Sequence, residues 1–293
     1  MTKTDILKNL EDDAKYYGDF GKQYLSNSDI GKLLKNPTQF RVSNEFTKPM
    51  LEGRYFHTKI LEPHKIKDFQ EVDASTRSTV KYKDALADSK EEMLLLTKER
   101  EHLDFLCTKM TSNMEMFDLI YEENNDYEVP EIQKIMNLDW KGKADILNHK
   151  SNLIIDIKTS SDIDKFMYSA KTYNYDSQAY IYQRLFGKPL IFLVIDKRTA
   201  RLGIFECSQS FIQGGQEKVE QAVEVYQKYF SDEATEDIHT YIGRLYKSLK
   251  RTEKNTIMWI KVPMSCNSAE HKTEVMLSVI THMEQTIKIN KNE

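Results

Sequence analysis

The chain has few cysteines. Its three, Cys107, Cys207 and Cys266, lie far apart and form no Cys-x-x-Cys pair. That argues against a disulfide framework or a thiolate zinc site and suits a reducing cytosol. Long apolar runs are missing too. The longest is "LIFLVI", Leu190 to Ile195, far too short to cross a bilayer, so no membrane partner is expected. The opening "MTKTDILKNLEDDAKYYGDF" carries acids where a secretory leader needs an apolar stretch, so a cytoplasmic location is expected. Excess positive charge is also lacking: the formal net charge is −4. Any polyanion-binding surface must therefore be a local basic patch. No internal repeat or low-complexity segment is apparent.

What is present fits a soluble globular protein. Of 293 residues, 40% are apolar and 30% charged, enough for a sizeable core in one large domain or two small ones. "SNSDIGKLLKNPTQF" reads as a helix capped at Ser28 or Asp29 and stopped by Pro37. "KPMLEGRYFHTKILEP" reads as a second helix ended by Pro63. From about residue 82 to 123 the chain is charged and helical in period, with Leu96, Leu103, Leu106, Met110 and Phe117 able to form one stripe. The period then drops to two. "YEVPEIQKIMNLDWKGKADILNHKSNLIIDIKTS" predicts three or four strands, with turns near Met136–Asn137 and His149–Asn152. A helix over about 163–186, a strand pair around 197–200 and a helix over about 210–230 follow. Two more helices around the strand-like "TIMWIKVP" complete the chain.

The strand pair around 149–152 concentrates the chemistry. With the turn at His149-Lys150-Ser151-Asn152, Asn148 pairs with Leu153, and paired positions sum to 301. Asp145 and Asp156 then stand opposite each other on one face, with Cβ atoms about 5 Å apart. Like charges so placed repel unless a cation lies between them. Lys158 shares their face, because side chains alternate along a strand. Two acids and a lysine thus converge, and oxygen ligands at that separation suit a hard cation such as Mg²⁺ or Mn²⁺. Ile155 and Ile157 would anchor the opposite face. The bland alternative is an Asp–Lys ion pair on a half-exposed strand.

Asp145 followed by Asp156-Ile157-Lys158-Thr159 resembles the signature of the PD-(D/E)XK nucleases. Two further motifs fit the RecB-like subgroup in order. Gln178 and Tyr182 in "YDSQAYIY" resemble its QxxxY motif and lie four residues apart, on one helix face. Gly53 and His57 in "EGRYFHTKILEP" resemble its Gly-x-x-x-His helix. The overall likeness is greatest to RecE-like nuclease domains of the phage-type exodeoxyribonuclease VIII kind, over about residues 25–230.

This resemblance implies an α/β (α+β) fold: a restriction-endonuclease-like core with a central mixed β-sheet flanked by helices, and helical N-terminal and C-terminal additions. It implies a nuclease domain over 1–232, with 82–123 as a helical insertion or linker, and an extension of unread role over 233–293. Carried onto this sequence, Asp145, Asp156, the Ile157 carbonyl and His57 would bind the metal, Mg²⁺ with Mn²⁺ able to substitute. Lys158 would orient the attacking water or stabilise charge on the phosphate. A further glutamate on the preceding strand would be Glu131, with Glu128 its rival. Gln178, Tyr182 and Thr159 would contact DNA, and Lys143, Lys165, Lys171 and Arg184 would add basic charge. Relatives with an iron–sulfur cluster use four cysteines; three here predict no cluster. The implied activity is a 5′-to-3′ double-strand DNA exonuclease serving recombination. It would act on linear duplex ends, as a ring-shaped homo-oligomer and beside a single-strand annealing recombinase. A single-strand or flap nuclease, an endonuclease, or a catalytically silent DNA-binding module are the alternatives.

Overall fold

A computed structural model describes residues 1–241. The helices and strand expected beyond them, with Cys266, lie outside the described residues.

The N-terminal segment forms α1 (Lys3–Leu10) and α2 (Asp13–Tyr17). α3 (Asn27–Lys35) starts slightly before the expected cap, because Asp29 Oδ2 accepts the Ser26 N–H at 2.9 Å there. α4 (Lys48–Leu61) is the Gly-x-x-x-His helix. The stretch expected as one helical insertion is instead broken. It holds α5 (Val80–Asp88), α6 (Thr97–Thr111) and α7 (Met114–Ile120), and a two-residue strand β2 (Leu95–Leu96) that pairs in parallel with β1 (Glu71–Val72). The cap at Asn113, whose side chain accepts the Met116 N–H, starts a new helix. The proposed stripe therefore splits. Leu103, Leu106 and Met110 are buried together, whereas Phe117 is half exposed.

The core sheet runs β3 (Asp126–Ile135), β4 (Leu138–Asn148), β5 (Leu153–Ser160), β6 (Leu190–Asp196) and β7 (Leu202–Glu206), in that spatial order. Within this sheet only β5 and β6 pair in parallel. Their crossover was expected as one helix and is two, α8 (Phe166–Thr172) and α9 (Tyr175–Phe186). Asn174 adopts a left-handed conformation, φ 60°, which asparagine tolerates and a continuous helix does not. The hairpin joining β3 and β4 turns at Met136 and Asn137, both with positive φ, the two-residue geometry that matches strand twist. α10 (Gln209–Tyr229) closes the described fold.

Helices cover both faces of the sheet. One apolar cluster joins Ile154, Phe192 and Val194 to α3, α9 and α10. The other joins Ile146, Ile155, Ile157 and Leu193 to α4, α6 and α7. Ile155 and Ile157 thus hold the face opposite Asp156, as the alternation requires. α9 lies very close to β4. A Cβ on Gly142 would stand 2.6 Å from Leu185 and 2.9 Å from the Tyr182 ring, so only glycine permits this approach. That contact brings the QxxxY helix over the strands that carry the acids.

Candidate active site

The ladder between β4 and β5 obeys the expected register but stops at Ile146–Ile155. On its other edge β5 pairs with β6 from Ile154 to Ser160, while beyond Ile155 it no longer pairs with β4, and β4 and β5 fork. Asp145 sits in the fork. Its Oδ2 accepts the N–H of Ile157 at 2.8 Å, so a side chain takes over where a backbone rung would otherwise fall. Asp145 and Asp156 share the site but are not a continuing ladder pair.

The β3–β4 ladder pairs Tyr127 with Ile146 and Val129 with Ala144, leaving Glu128 at the level of Asp145. Glu128 has φ 51°, a local distortion of the kind that re-aims side chains at strand bulges. Side chains two apart normally share a face. Here Val129 and Ala144 join one apolar cluster, while Tyr127 and Ile146 join the other. Both strands reverse face at Glu128 and Asp145. One ligand atom each from His57, Glu128 and Asp145 lies within 4.8 Å of the others. His57 Nδ1 stands 3.3 Å from Asp145 Oδ2.

Glu131, the expected glutamate, lies outside this group. Its carboxylate pairs with Lys3 at 2.7 Å and accepts its neighbour's N–H. Glu128 occupies the place instead. A signal for it existed: counting outward from the Met136–Asn137 turn pairs 135 with 138, and so 128 with 145.

Asp156 is almost wholly buried. Its Oδ1 accepts the Gln178 amide from α9. Its Oδ2 takes no hydrogen bond, although the Lys158 ammonium lies against it as an ion-pair partner. Lys158 Nζ also stands 4.9 Å from the centroid of the Tyr175 ring. Burial alone would lower the Lys158 pKa; the Asp156 and Asp145 carboxylates outweigh it and hold the ammonium above its ordinary range. Burial pushes Asp145 up, with Asp156 adding repulsion against the favourable field of His57. Burial likewise pushes Glu128 up, reinforced by Asp145. Crowded, desolvated carboxylates of this kind mark functional sites.

Tyr182 donates to the Lys143 carbonyl at 2.9 Å. Both QxxxY side chains are therefore engaged with the strands, holding them in place. Thr159 is not among the residues that line the cavity over the acids. Lys165 and Lys171 stand exposed around α8, and Arg184 lies over the Tyr180 ring.

The cavity has a volume of about 820 Å³ and is floored by His57, Glu128, Asp145, Asp156 and Lys158, with Gln178 and Tyr182 behind them. Gly53 also lines it, and a Cβ there would meet nothing within 4 Å, so this glycine keeps space open rather than permitting a packing contact. Residues of α2 form a further wall. Lys141 donates to the Tyr16 carbonyl and Lys143 pairs with Asp13, while both ammoniums lie over the Tyr16 ring. Burial pushes the Lys141 ammonium down to about 8. This wall was not foreseen, although Lys141, Lys143 and Asp145 at alternate positions hint at a shared face.

The donor set fits a divalent cation. His57, Glu128 and Asp145 each offer a ligand atom within 4.8 Å of the others, burial pushes both carboxylates up, and Asp156 lines the same cavity. Hard cations take such oxygens, and manganese tolerates an added nitrogen.

Known structures align with parts of this fold. A provisionally assigned exonuclease from Eubacterium rectale aligns with a TM-score of 0.55 at 15% identity, over 74% of this chain and 85% of that one. A phage-related exonuclease from Haemophilus somnus 129PT aligns at 15% identity over 70% of this chain and 94% of that one, with a TM-score of 0.31. No curated protein matches. The family described as a PDDEXK-like domain of unknown function (DUF3799) matches residues 32–237. With a mixed five-stranded sheet flanked by helices and the acids and lysine at its fork, the chain belongs to this PDDEXK-like family.

Proposed function

We propose that the protein is a metal-dependent deoxyribonuclease, acting as a 5′-to-3′ exonuclease on linear duplex ends. The observation that carries this reading is the convergence of Asp145, Asp156 and Lys158 with Glu128 and His57 on one cavity floor. Glu128, Asp145, Asp156 and His57 would hold Mg²⁺ or Mn²⁺. When bound, such an ion neutralises phosphate charge and acidifies a coordinated water.

The chain's own groups supply the rest. Hydrolysis forms a bond from water oxygen to phosphorus while the bond to the leaving sugar oxygen breaks. Lys158, kept charged by its carboxylate neighbours, acts as a hydrogen-bond donor rather than a base. It orients the attacking oxygen or offsets charge developing on the phosphate. Gln178 fixes the Asp156 carboxylate, and the Ile157 N–H fixes that of Asp145. Tyr182 holds the strand at Lys143. Preset geometry of this kind lowers the reorganisation needed during reaction.

The test uses end-labelled linear duplex, nicked circular duplex and single-stranded DNA with Mg²⁺ or Mn²⁺, for the wild type and Lys158→Ala. Progressive loss of linear duplex from its 5′ ends, abolished by the substitution, supports the reading. Absence of cleavage of every DNA with either ion overturns it.

A further inference from the structure

Three large exposed side chains, one methionine and two tyrosines, gather in one short segment. Met167, Tyr168 and Tyr173 are 70%, 79% and 64% exposed and lie within one short segment around α8. Exposed apolar groups gathered in this way often mark a binding surface. Tyr173 reaches the candidate active site through one neighbour. Its ring packs on that of Tyr175, with centroids 5.9 Å apart and planes at 38°. The Tyr175 ring in turn lies 4.9 Å from Lys158 Nζ.

The backbone beside Tyr173 is fixed. Asn174, in its left-handed conformation, offers a carbonyl that accepts from Asn27 Nδ2 at 3.1 Å and from Ser177 Oγ at 2.9 Å. Asn27 also lines the cavity. Lys218 donates to the Asn174 side chain at 3.1 Å and to the Lys171 carbonyl at 2.6 Å. The kink between α8 and α9 is therefore pinned from α3 and α10. A solvent-facing ring contributes little to the core, and a pinned backbone beneath it has little freedom left to lose on binding a ligand. Lys171 is exposed on the same segment, with no ion-pair partner among the described residues.

The geometry points to Tyr173 as a stacking platform for an unpaired nucleobase next to the scissile phosphate. This rests on the nuclease reading above and extends it to the substrate's path. The ring lies one aromatic neighbour beyond Lys158, so a strand whose phosphate reaches the lysine would present a flanking base there. Every base has a π-face, so the contact would be tolerant of sequence. Tyr168 is more exposed but makes no aromatic contact among the described residues, and serves as the comparison.

The experiment measures kcat and KM with Mg²⁺ on linear duplex carrying a short unpaired end, for the wild type, Tyr173→Ala, Tyr173→Phe and Tyr168→Ala. Tyr173→Ala is expected to raise KM about tenfold with kcat within about twofold, since stacking on an aromatic ring carries that scale of binding. Tyr173→Phe should restore KM, and Tyr168→Ala should leave it unchanged. A second readout needs no cleavage: 2-aminopurine fluorescence in a short single strand should be quenched by the wild type and not by Tyr173→Ala. Cleavage by the wild type with KM and quenching unaltered in Tyr173→Ala overturns the assignment alone. A wild type that cleaves no DNA overturns the nuclease reading, and the quenching then decides the platform by itself.

Discussion

Glu128 and Asp145 face each other across β3 and β4, each with a carboxylate oxygen inside the cluster that also holds a His57 ring nitrogen. Glu131, three residues further along the strand, points instead to Lys3. The two glutamates should therefore separate cleanly in an activity assay. Glu128→Gln is expected to lower metal-dependent cleavage by about 100-fold or more, since even weaker perturbations around a metal site cost 10–100-fold. Glu131→Gln should remain within about twofold. Equal losses in both would contradict the assignment.

The same cluster should be visible without substrate. Mg²⁺ or Mn²⁺ that binds the folded chain alone stabilises it by about 2.7 kcal/mol at a hundred times its Kd. A thermal melt should rise by several degrees on adding Mn²⁺ and return on adding EDTA. In Asp145→Asn the rise should shrink or vanish. A wild-type melting temperature indifferent to both ions would rule out a site with useful affinity.

Acidity provides a third check. In EDTA, Asp145 and Glu128 both titrate above the ordinary carboxylate range, through burial first and then a neighbouring carboxylate, Asp156 for Asp145 and Asp145 for Glu128. The folded chain then holds more protons than the unfolded one. Stability from these two groups is full below the unfolded value near pH 4 and declines as pH rises through their folded values. Metal-free melting temperatures should fall on going from acid toward neutral pH, and less steeply in Glu128→Gln. A slope unchanged by that substitution would show that the strain resides elsewhere.

Much of this site was legible in the sequence because it depends on strand arithmetic. The turn at 149–152 set the β4–β5 register as far as Ile146–Ile155, just short of Asp145 and Asp156, and the alternation placed Ile155 and Ile157 on the far face. The neighbouring turn would have selected Glu128 by the same counting. Four features were hidden, each for a physical reason. The fork beyond the Ile146–Ile155 pair, where the Asp145 carboxylate takes the Ile157 N–H, is a tertiary effect with no local pattern. The reversal of face at Glu128 needs a positive φ that no glycine announces. The α2 wall depends on Asp13 and Tyr16 meeting lysines at positions 141 and 143, contacts between distant parts of the chain. The break at Asn174 was hidden too, since asparagine only permits it and does not require it.

Packing supplies a fourth prediction. A Cβ on Gly142 would press into Leu185 and Tyr182 of α9, and one on Gly215 would stand 2.0 Å from the Asp176 carbonyl oxygen. Gly142→Ala displaces side chains and should cost about 1–3 kcal/mol, as overpacked cores do. Gly215→Ala meets backbone and should cost more. Urea titrations would order the two, and a milder loss for Gly215→Ala would refute the close approach of α9 and α10.

The wall formed by α2 suggests a fifth. Lys143 is buried in its own fold and paired with Asp13, whose side chain is largely exposed. Asp13→Ala should release that positive charge toward the cavity and tighten binding of a short DNA duplex by several-fold at low salt, an effect that fades as salt screens it. A weaker or salt-independent change would show that the pair only holds α2 in place.

The forked strands have a consequence for how the protein can lose its activity. Asp145 closes the fork with the same oxygen that faces His57. Removing the side chain as alanine discards a ligand and a structural tie together, so a damaged site and a loosened sheet would arrive in one step. Asparagine keeps an acceptor for the Ile157 N–H and removes only the charge. Asp145→Asn is therefore the substitution that should give an intact but idle protein, one able to hold DNA without cutting it and so suited to capturing the complex.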